Sequence, residues 1–86
     1  MNPETYAMVK LAPKRVKPLI TSLYMANASL NERIEQLNDH IEFEESRTQR
    51  ENYRVRVARY NDQININYSV IDQLNSYLEA MGMERI

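Results

Sequence analysis

Apolar residues recur along this chain at alternating intervals of three and four positions, in two long runs. The first run extends from Ile20 to Ile41 and the second from Tyr53 to Met81, and each includes one asparagine. This spacing fills the a and d positions of a heptad and is typical of helices that pack as coiled coils. No proline or glycine interrupts either run. The pattern therefore predicts an all-α protein with two long amphipathic helices.

The two runs are out of phase, which predicts that the chain turns back between them. If the heptad spacing of the first run is continued past Ile41, it falls mostly on polar residues. A continuous coiled coil would bury this stripe of polar residues at a high cost in free energy. If the chain instead folds about Arg47, residues whose numbers sum to 94 face each other. Ile20 then meets Leu74, Val16 meets Leu78, and every a position faces a d position. We therefore predict a long antiparallel two-helix hairpin.

Proline positions set the limits of the first elements. Pro3 suits the first turn of a short N-terminal helix over residues 3–12, and Pro13 is expected to end that helix. The stretch from Pro13 to Pro18 reads as a connector. Pro18 can then open the first long helix, which we place over residues 18–45.

Capping signals set the limits of the second long helix. The turn is predicted near residues 45–48, with a left-handed residue in it. Thr48 and Glu51 fit a capping box, so the second helix is placed over residues 49–81. Gly82, the single glycine of the chain, fits a C-cap with Met83 closing over the last turn. All elements belong to one domain, residues 1–86.

Two polar residues interrupt the apolar stripes at matching places. Asn27 and Asn67 lie on the first and second stripe, and the predicted register brings them face to face. An asparagine buried at such a position selects the register of a coiled coil and costs stability. We therefore interpret Asn27 and Asn67 as register-setting residues, with exposure to solvent at a loosened layer as the alternative.

Apolar residues beside the stripes predict self-association into a helical bundle. A bare hairpin buries one stripe per helix, and further apolar groups call for a partner or for a third helix. Tyrosine is also enriched at protein interfaces. The candidate interface residues are Tyr24, Val70 and Tyr77, together with Met8 and Leu11 of the N-terminal helix.

Composition narrows the chemistry that the chain could perform. The 86 residues contain no cysteine, which excludes disulfides and a thiol nucleophile, and a single histidine, His40. No glycine-rich phosphate loop is present. We therefore expect no enzyme activity, no metal and no cofactor. The chain lacks a long apolar segment and a signal-peptide pattern, so a cytoplasmic location is expected.

Positive charge is concentrated in two places although the net charge is −1. The arginines near the turn have carboxylates close by, and Glu44 is expected to pair with Arg50. The N-terminal cluster has fewer acidic neighbours and is the better candidate for phosphate contact. It consists of Lys10, Lys14, Arg15 and Lys17.

These observations favour a non-enzymatic protein–protein interaction module, acting as a small regulator, adaptor or assembly factor. Its expected partners are a second copy of itself, as a dimer or larger assembly, and an unidentified protein. A phage or mobile-element origin would suit a helical protein of this size. The alternative is a nucleic-acid-binding protein that uses the basic N-terminal cluster on an oligomeric scaffold, which the near-neutral charge disfavours. Attachment to a membrane surface has the least support.

Overall fold

The computed structural model describes residues 13–86 and shows two long helices packed into an antiparallel hairpin. Helix α1 spans Pro13–Phe43 and helix α2 spans Arg47–Ala80. The hairpin is an elongated rod that measures 54 Å along its long axis. The all-α hairpin predicted from the heptad spacing is thus confirmed. The predicted helix over residues 3–12 lies outside the described residues.

Side chains of the two predicted stripes form the core between α1 and α2. Burying an isoleucine or leucine side chain contributes roughly 1.5–3 kcal/mol, so a continuous row of them holds the helices together. The most tightly packed part is a cluster near the open end of the hairpin. It contains Val16, Ile20, Ile71, Leu74 and Leu78, with Leu23, Val70, Tyr77 and Met83 packed around it.

Packing becomes looser towards the turn. Leu37 and Ile64 are still buried, at 6% and 7% exposure. The other stripe residues in this half of the hairpin are only half-buried, because no other element among residues 13–86 covers the two-helix seam there. These residues are Leu30, Ile34, Ile41, Tyr53, Val57 and Tyr60.

Helix α1 starts earlier than predicted, and the predicted connector between Pro13 and Pro18 is wrong. The chain is helical from Pro13, and Pro18 lies inside the helix. Val16 supplies the physical reason, because a helical backbone places it one turn before Ile20, where it is fully buried in the cluster with Leu78. This burial offsets the loss of the backbone hydrogen bond that Pro18 cannot donate.

The turn occupies residues 44–46, and the predicted capping residue Thr48 is wrong. Ser46 is the N-cap of α2, and its Oγ accepts a hydrogen bond from the Gln49 N–H at 3.3 Å. The N–H of Ser46 donates to Glu44 Oε1 at 3.1 Å, so a glutamate from the turn replaces the partner that a capping box takes from the helix. Ser46 has a φ of −73°, and no left-handed residue is needed.

Helix α2 ends in the predicted glycine cap. Gly82 has a φ of 77°, and the Met83 N–H donates to the Leu78 carbonyl oxygen at 2.9 Å. A second bond of 2.9 Å joins the Gly82 N–H to the Glu79 carbonyl oxygen, which completes a Schellman motif. The motif also brings Met83 against the core. The chain after α2 is thereby directed back towards the hairpin.

Candidate functional site

The structure brings Asn27 and Asn67 together in the seam. The Asn67 Nδ2 donates to the Asn27 Oδ1 at 2.8 Å, and the two residues are 2% and 7% exposed. Gln63 Nε2 in turn donates to the Asn67 Oδ1 at 2.9 Å. The Nδ2 of Asn27 is buried without a hydrogen-bond partner. Three amides therefore form a short chain that ends in one unpaired donor.

This geometry suits the register-setting role predicted for the two asparagines. Sliding α2 along α1 by one heptad in either direction would place Asn27 against Leu74 or Tyr60 and leave both amides among apolar side chains. Each buried polar group left unpaired costs about 1–3 kcal/mol. The register with the asparagines in contact is therefore favoured over its nearest neighbours. The role itself is tested by the substitutions described in the Discussion.

A polar contact that the sequence did not indicate holds residues 83–86 against the hairpin. The side chain of Asn75 is 2% exposed, its Nδ2 donates to the main-chain oxygen of Ile86 at 3.2 Å, and its Oδ1 accepts from the Ile86 N–H at 2.9 Å. The Tyr24 hydroxyl donates to the same Ile86 oxygen at 3.2 Å. The only sequence signals were Met83 and Ile86, two apolar residues beyond the glycine cap.

Arg85 adds two ion pairs to this segment. Its guanidinium contacts Asp72 at 2.6 Å and Glu79 at 2.7 Å. The hydrogen bonds with Glu79 and with Asp72 raise the pKa of Arg85 further above its ordinary value. Because the arginine is half exposed, water screens these pairs, and they contribute little beside the buried Asn75 contact.

We expect replacement of Asn75 by alanine to lower the free energy of unfolding by about 1–3 kcal/mol, because two part-buried hydrogen bonds are lost together. Chemical denaturation followed by circular dichroism measures the change. Asn65→Ala is the matched control, since Asn65 is an exposed asparagine on the same helix. Equal effects of the two substitutions would contradict a role of Asn75 in holding the C-terminal segment.

The residues predicted as an interface lie on two different flanks of the hairpin. The ring of Tyr24 contacts that of Tyr68 edge-on, with centroids 6.3 Å apart. Val70 follows Tyr68 by two residues and is therefore turned by about 200° around α2. Tyr77 lies one heptad further along and shares the flank of Val70. Met8 and Leu11 lie outside the described residues.

Three residues of the predicted phosphate-contact cluster are described, and all three are exposed: Lys14, Arg15 and Lys17. Lys14 and Lys17 line an open groove beside Pro18 and Met83. Within residues 13–86 none of these three side chains forms an ion pair. Lys10 lies outside the described residues.

Arginines near the turn are only partly neutralised. Arg54 pairs with Glu51 at 2.7 Å. The expected pair between Glu44 and Arg50 is absent from the described structure, because the Glu44 carboxylate accepts the N–H of Ser46 instead. The Nε of Arg50 is buried with no hydrogen-bond partner. Arg50, at the turn end of the seam, therefore has no ion-pair partner among residues 13–86.

Comparisons with protein-family models, with curated proteins and with solved structures give no match to this chain. In the described part of the chain, neither helix has an apolar stretch that could cross a membrane. Residues 13–86 also contain no group of three or more histidine, aspartate or glutamate side chains placed to hold a metal ion.

Proposed function

We propose that this chain is a non-enzymatic interaction module that pairs with a second copy of itself and serves as a small regulator, adaptor or assembly factor. The observation that supports the proposal is an apolar surface along one flank of the hairpin near its open end. We call it the open-end flank, and it consists of Leu19, Ala26, Ile66, Val70 and Tyr77.

Helical phase places these residues on one surface. Leu19 and Ala26 are one heptad apart on α1, and Val70 and Tyr77 are one heptad apart on α2. Residues one heptad apart lie on the same side of a coiled-coil helix. Ile66 lies one turn before Val70 and extends the same strip. In an antiparallel pair the strips of the two helices lie side by side, so the flank is continuous.

The open-end flank is apolar and incompletely covered. Leu19 is 41% exposed and Ile66 is 55% exposed, whereas Val70 and Tyr77 pack against the core from the side. Apolar area removed from water contributes roughly 25 cal/mol per Å². Ala26 is small and leaves room for a second helix to approach. A partner helix packed on this flank would therefore be stabilised by the same kind of apolar burial that holds α1 and α2 together.

A second copy fits this surface better than an unrelated chain. The commonest oligomers are twofold-symmetric dimers in which the same patch of each subunit meets itself. Two hairpins joined by their open-end flanks would form a four-helix bundle, which is a stable way to bury a second apolar strip on each helix. Paired hairpins would also present their exposed outer faces to further partners.

We expect Ile66→Glu to weaken self-association at least ~10-fold, because a carboxylate would be buried in the apolar contact. Sedimentation velocity over a range of micromolar concentrations measures the dissociation constant. Tyr68→Glu is the control, since Tyr68 is 48% exposed and lies on the opposite flank of the same helix. A parent chain that remains monomeric, or a dimer dissociated by Tyr68→Glu and not by Ile66→Glu, would contradict the proposal.

Nucleic-acid binding through the basic N-terminal cluster is the second candidate. It is supported by the exposure of Lys14, Arg15 and Lys17 and by their lack of acidic partners within the described chain. Binding of this kind weakens steeply with salt, because counterions are released from the phosphates. Retention of duplex DNA at low salt that disappears with added salt, and that is lost when these three residues become glutamine, would favour this function.

A further inference from the structure

A groove on the turn-side half of the hairpin carries positive charge from both helices. It measures about 420 Å³ and crosses the seam between α1 and α2. Helix α1 contributes Arg33 and His40, and helix α2 contributes Tyr53, Arg56 and Tyr60. Among the described residues, no carboxylate lines it. We call it the turn-side groove.

The two arginines of this groove have no anionic partner in the described residues. Arg54 and Arg85 account for the ion pairs found there. The sequence explains why these two arginines differ from Arg54, because no aspartate or glutamate lies three or four positions from Arg33 or from Arg56. Two guanidinium groups therefore face the groove with donors that no protein carboxylate occupies.

Both arginines line the groove together with Tyr60. Arg56 and, more weakly, Arg33 lower the pKa of the Tyr60 hydroxyl, which lies in the same groove. Beside it, the rings of His40 and Tyr53 are stacked with centroids 5.6 Å apart, and this pair forms one wall of the groove. The arrangement concentrates hydrogen-bond donors and positive charge on a small volume.

We propose that the turn-side groove binds a small phosphate-bearing anion held between Arg33 and Arg56. The planar guanidinium group matches the oxygen spacing of phosphate and can donate two parallel hydrogen bonds to it. The two arginines line the same groove from opposite helices, so an anion seated there could contact both. The neighbouring Tyr53 and Tyr60 hydroxyls offer further donors.

The observations favour a small anion over a nucleic-acid strand. A strand needs a row of cations along its backbone, and its affinity grows with the number of phosphates neutralised. The two arginines of this groove instead lie at one place along the rod. The exposed outer face of α1 carries acidic residues that would repel a long polyanion: Glu32, Glu35, Asp39 and Glu42.

Titration of the parent chain with inorganic pyrophosphate, by calorimetry and by NMR, tests this proposal. We expect saturable binding in which the Nε–H signals of Arg33 and Arg56 shift and those of Arg54 and Arg59 do not. This measurement needs no variant and decides the question even if a substitution unfolds the chain. Absence of saturation at about 10 mM pyrophosphate, or equal shifts of all four arginines, would overturn the proposal.

Substitutions then assign the affinity to the groove. We expect Arg33→Gln and Arg56→Gln each to weaken pyrophosphate binding about 10-fold, because each removes a charged donor pair. Arg59→Gln removes the same charge from an exposed position of α2 outside the groove and should change the affinity less than about twofold. Equal weakening by all three, or tighter binding of a DNA strand with the same equal weakening, would indicate diffuse electrostatics and overturn the site.

This site does not depend on self-association through the open-end flank. The Ile66→Glu variant is expected to bind pyrophosphate with the affinity of the parent chain, whether or not the parent dimerises. Failure of the pairing proposal and failure of the anion proposal therefore give different results. Loss of pyrophosphate binding in Ile66→Glu alone would contradict a site contained within one hairpin.

Discussion

Replacing Leu78 by alanine is expected to lower the free energy of unfolding by about 2–5 kcal/mol. Leu78 is fully buried in the cluster at the open end, and its carbonyl oxygen also accepts the Met83 N–H that closes the helix cap. Small domains are only marginally stable, so a loss of this size is a large part of the total. Thermal melting followed by circular dichroism measures it, and we expect a fall of at least about 10 °C.

A matched pair of valines controls for the effect of burial. Val16 is fully buried and Val55 is 49% exposed, so Val16→Ala should destabilise the chain clearly and Val55→Ala by less than about 0.5 kcal/mol. Val16 also lies in the part of α1 that precedes Pro18. If Val16→Ala has no more effect than Val55→Ala, then the open end is not packed as described, and the effect of Leu78→Ala would have to come from elsewhere.

Replacing both Asn27 and Asn67 by leucine is expected to raise the melting temperature by about 5–10 °C. The substitution removes a buried amide pair, including an unpaired donor on Asn27, and adds two apolar side chains to the seam. Exchanging poorly compensated buried polar groups for apolar ones stabilises a protein by about 1–2 kcal/mol, which corresponds to several degrees in a chain of this size. Differential scanning calorimetry measures the shift.

The two single substitutions should change the stability differently, because they leave different hydrogen-bonding groups unpaired. Asn67→Leu leaves both polar atoms of Asn27 buried and unpaired, so we expect a loss of about 1–3 kcal/mol. Asn27→Leu removes the unpaired Asn27 donor but leaves the Asn67 Nδ2 without its acceptor, while the Asn67 carbonyl oxygen keeps its bond from Gln63. This variant should therefore lie between the parent and the double variant, or close to the parent.

The stabilised double variant is expected to lose specificity for a single register and a single oligomeric state. Without the asparagines, hairpins shifted by one heptad no longer bury unpaired amides, so we expect additional registers or oligomeric states in sedimentation experiments. Asn38→Leu with Asn61→Leu is the control, since both residues are exposed and lie beside the seam. A double seam variant less stable than the parent would show that the amides contribute more than the burial that replaces them.

The turn-side groove and the open-end flank lie on the same side of the hairpin. Arg56 of the turn-side groove and Val70 of the open-end flank are two heptads apart on α2, so the same side of the rod is basic towards the turn and apolar towards the open end. A copy packed on the apolar half leaves the basic half available. Self-association and anion binding can therefore be separated by substitutions on a single face.

Heptad spacing alone was enough to predict the two helices, the reversal of the chain and the meeting of Asn27 with Asn67. These features follow from periodicity, because an antiparallel seam has few ways to place every apolar residue opposite another. The glycine cap was also predictable, since Gly82 is the residue that adopts a positive φ without strain.

Other features depended on which side chains the packing of the two helices brings together. Burial of Val16 draws α1 back to Pro13 across a proline that local rules would place at a helix start. The contact of Asn75 with Ile86 joins positions 11 residues apart, and the turn-side groove brings together Arg33 and Arg56 from two helices. No local pattern encodes such contacts, because they exist only once the chain has folded back and the seam has fixed the rotation of each helix.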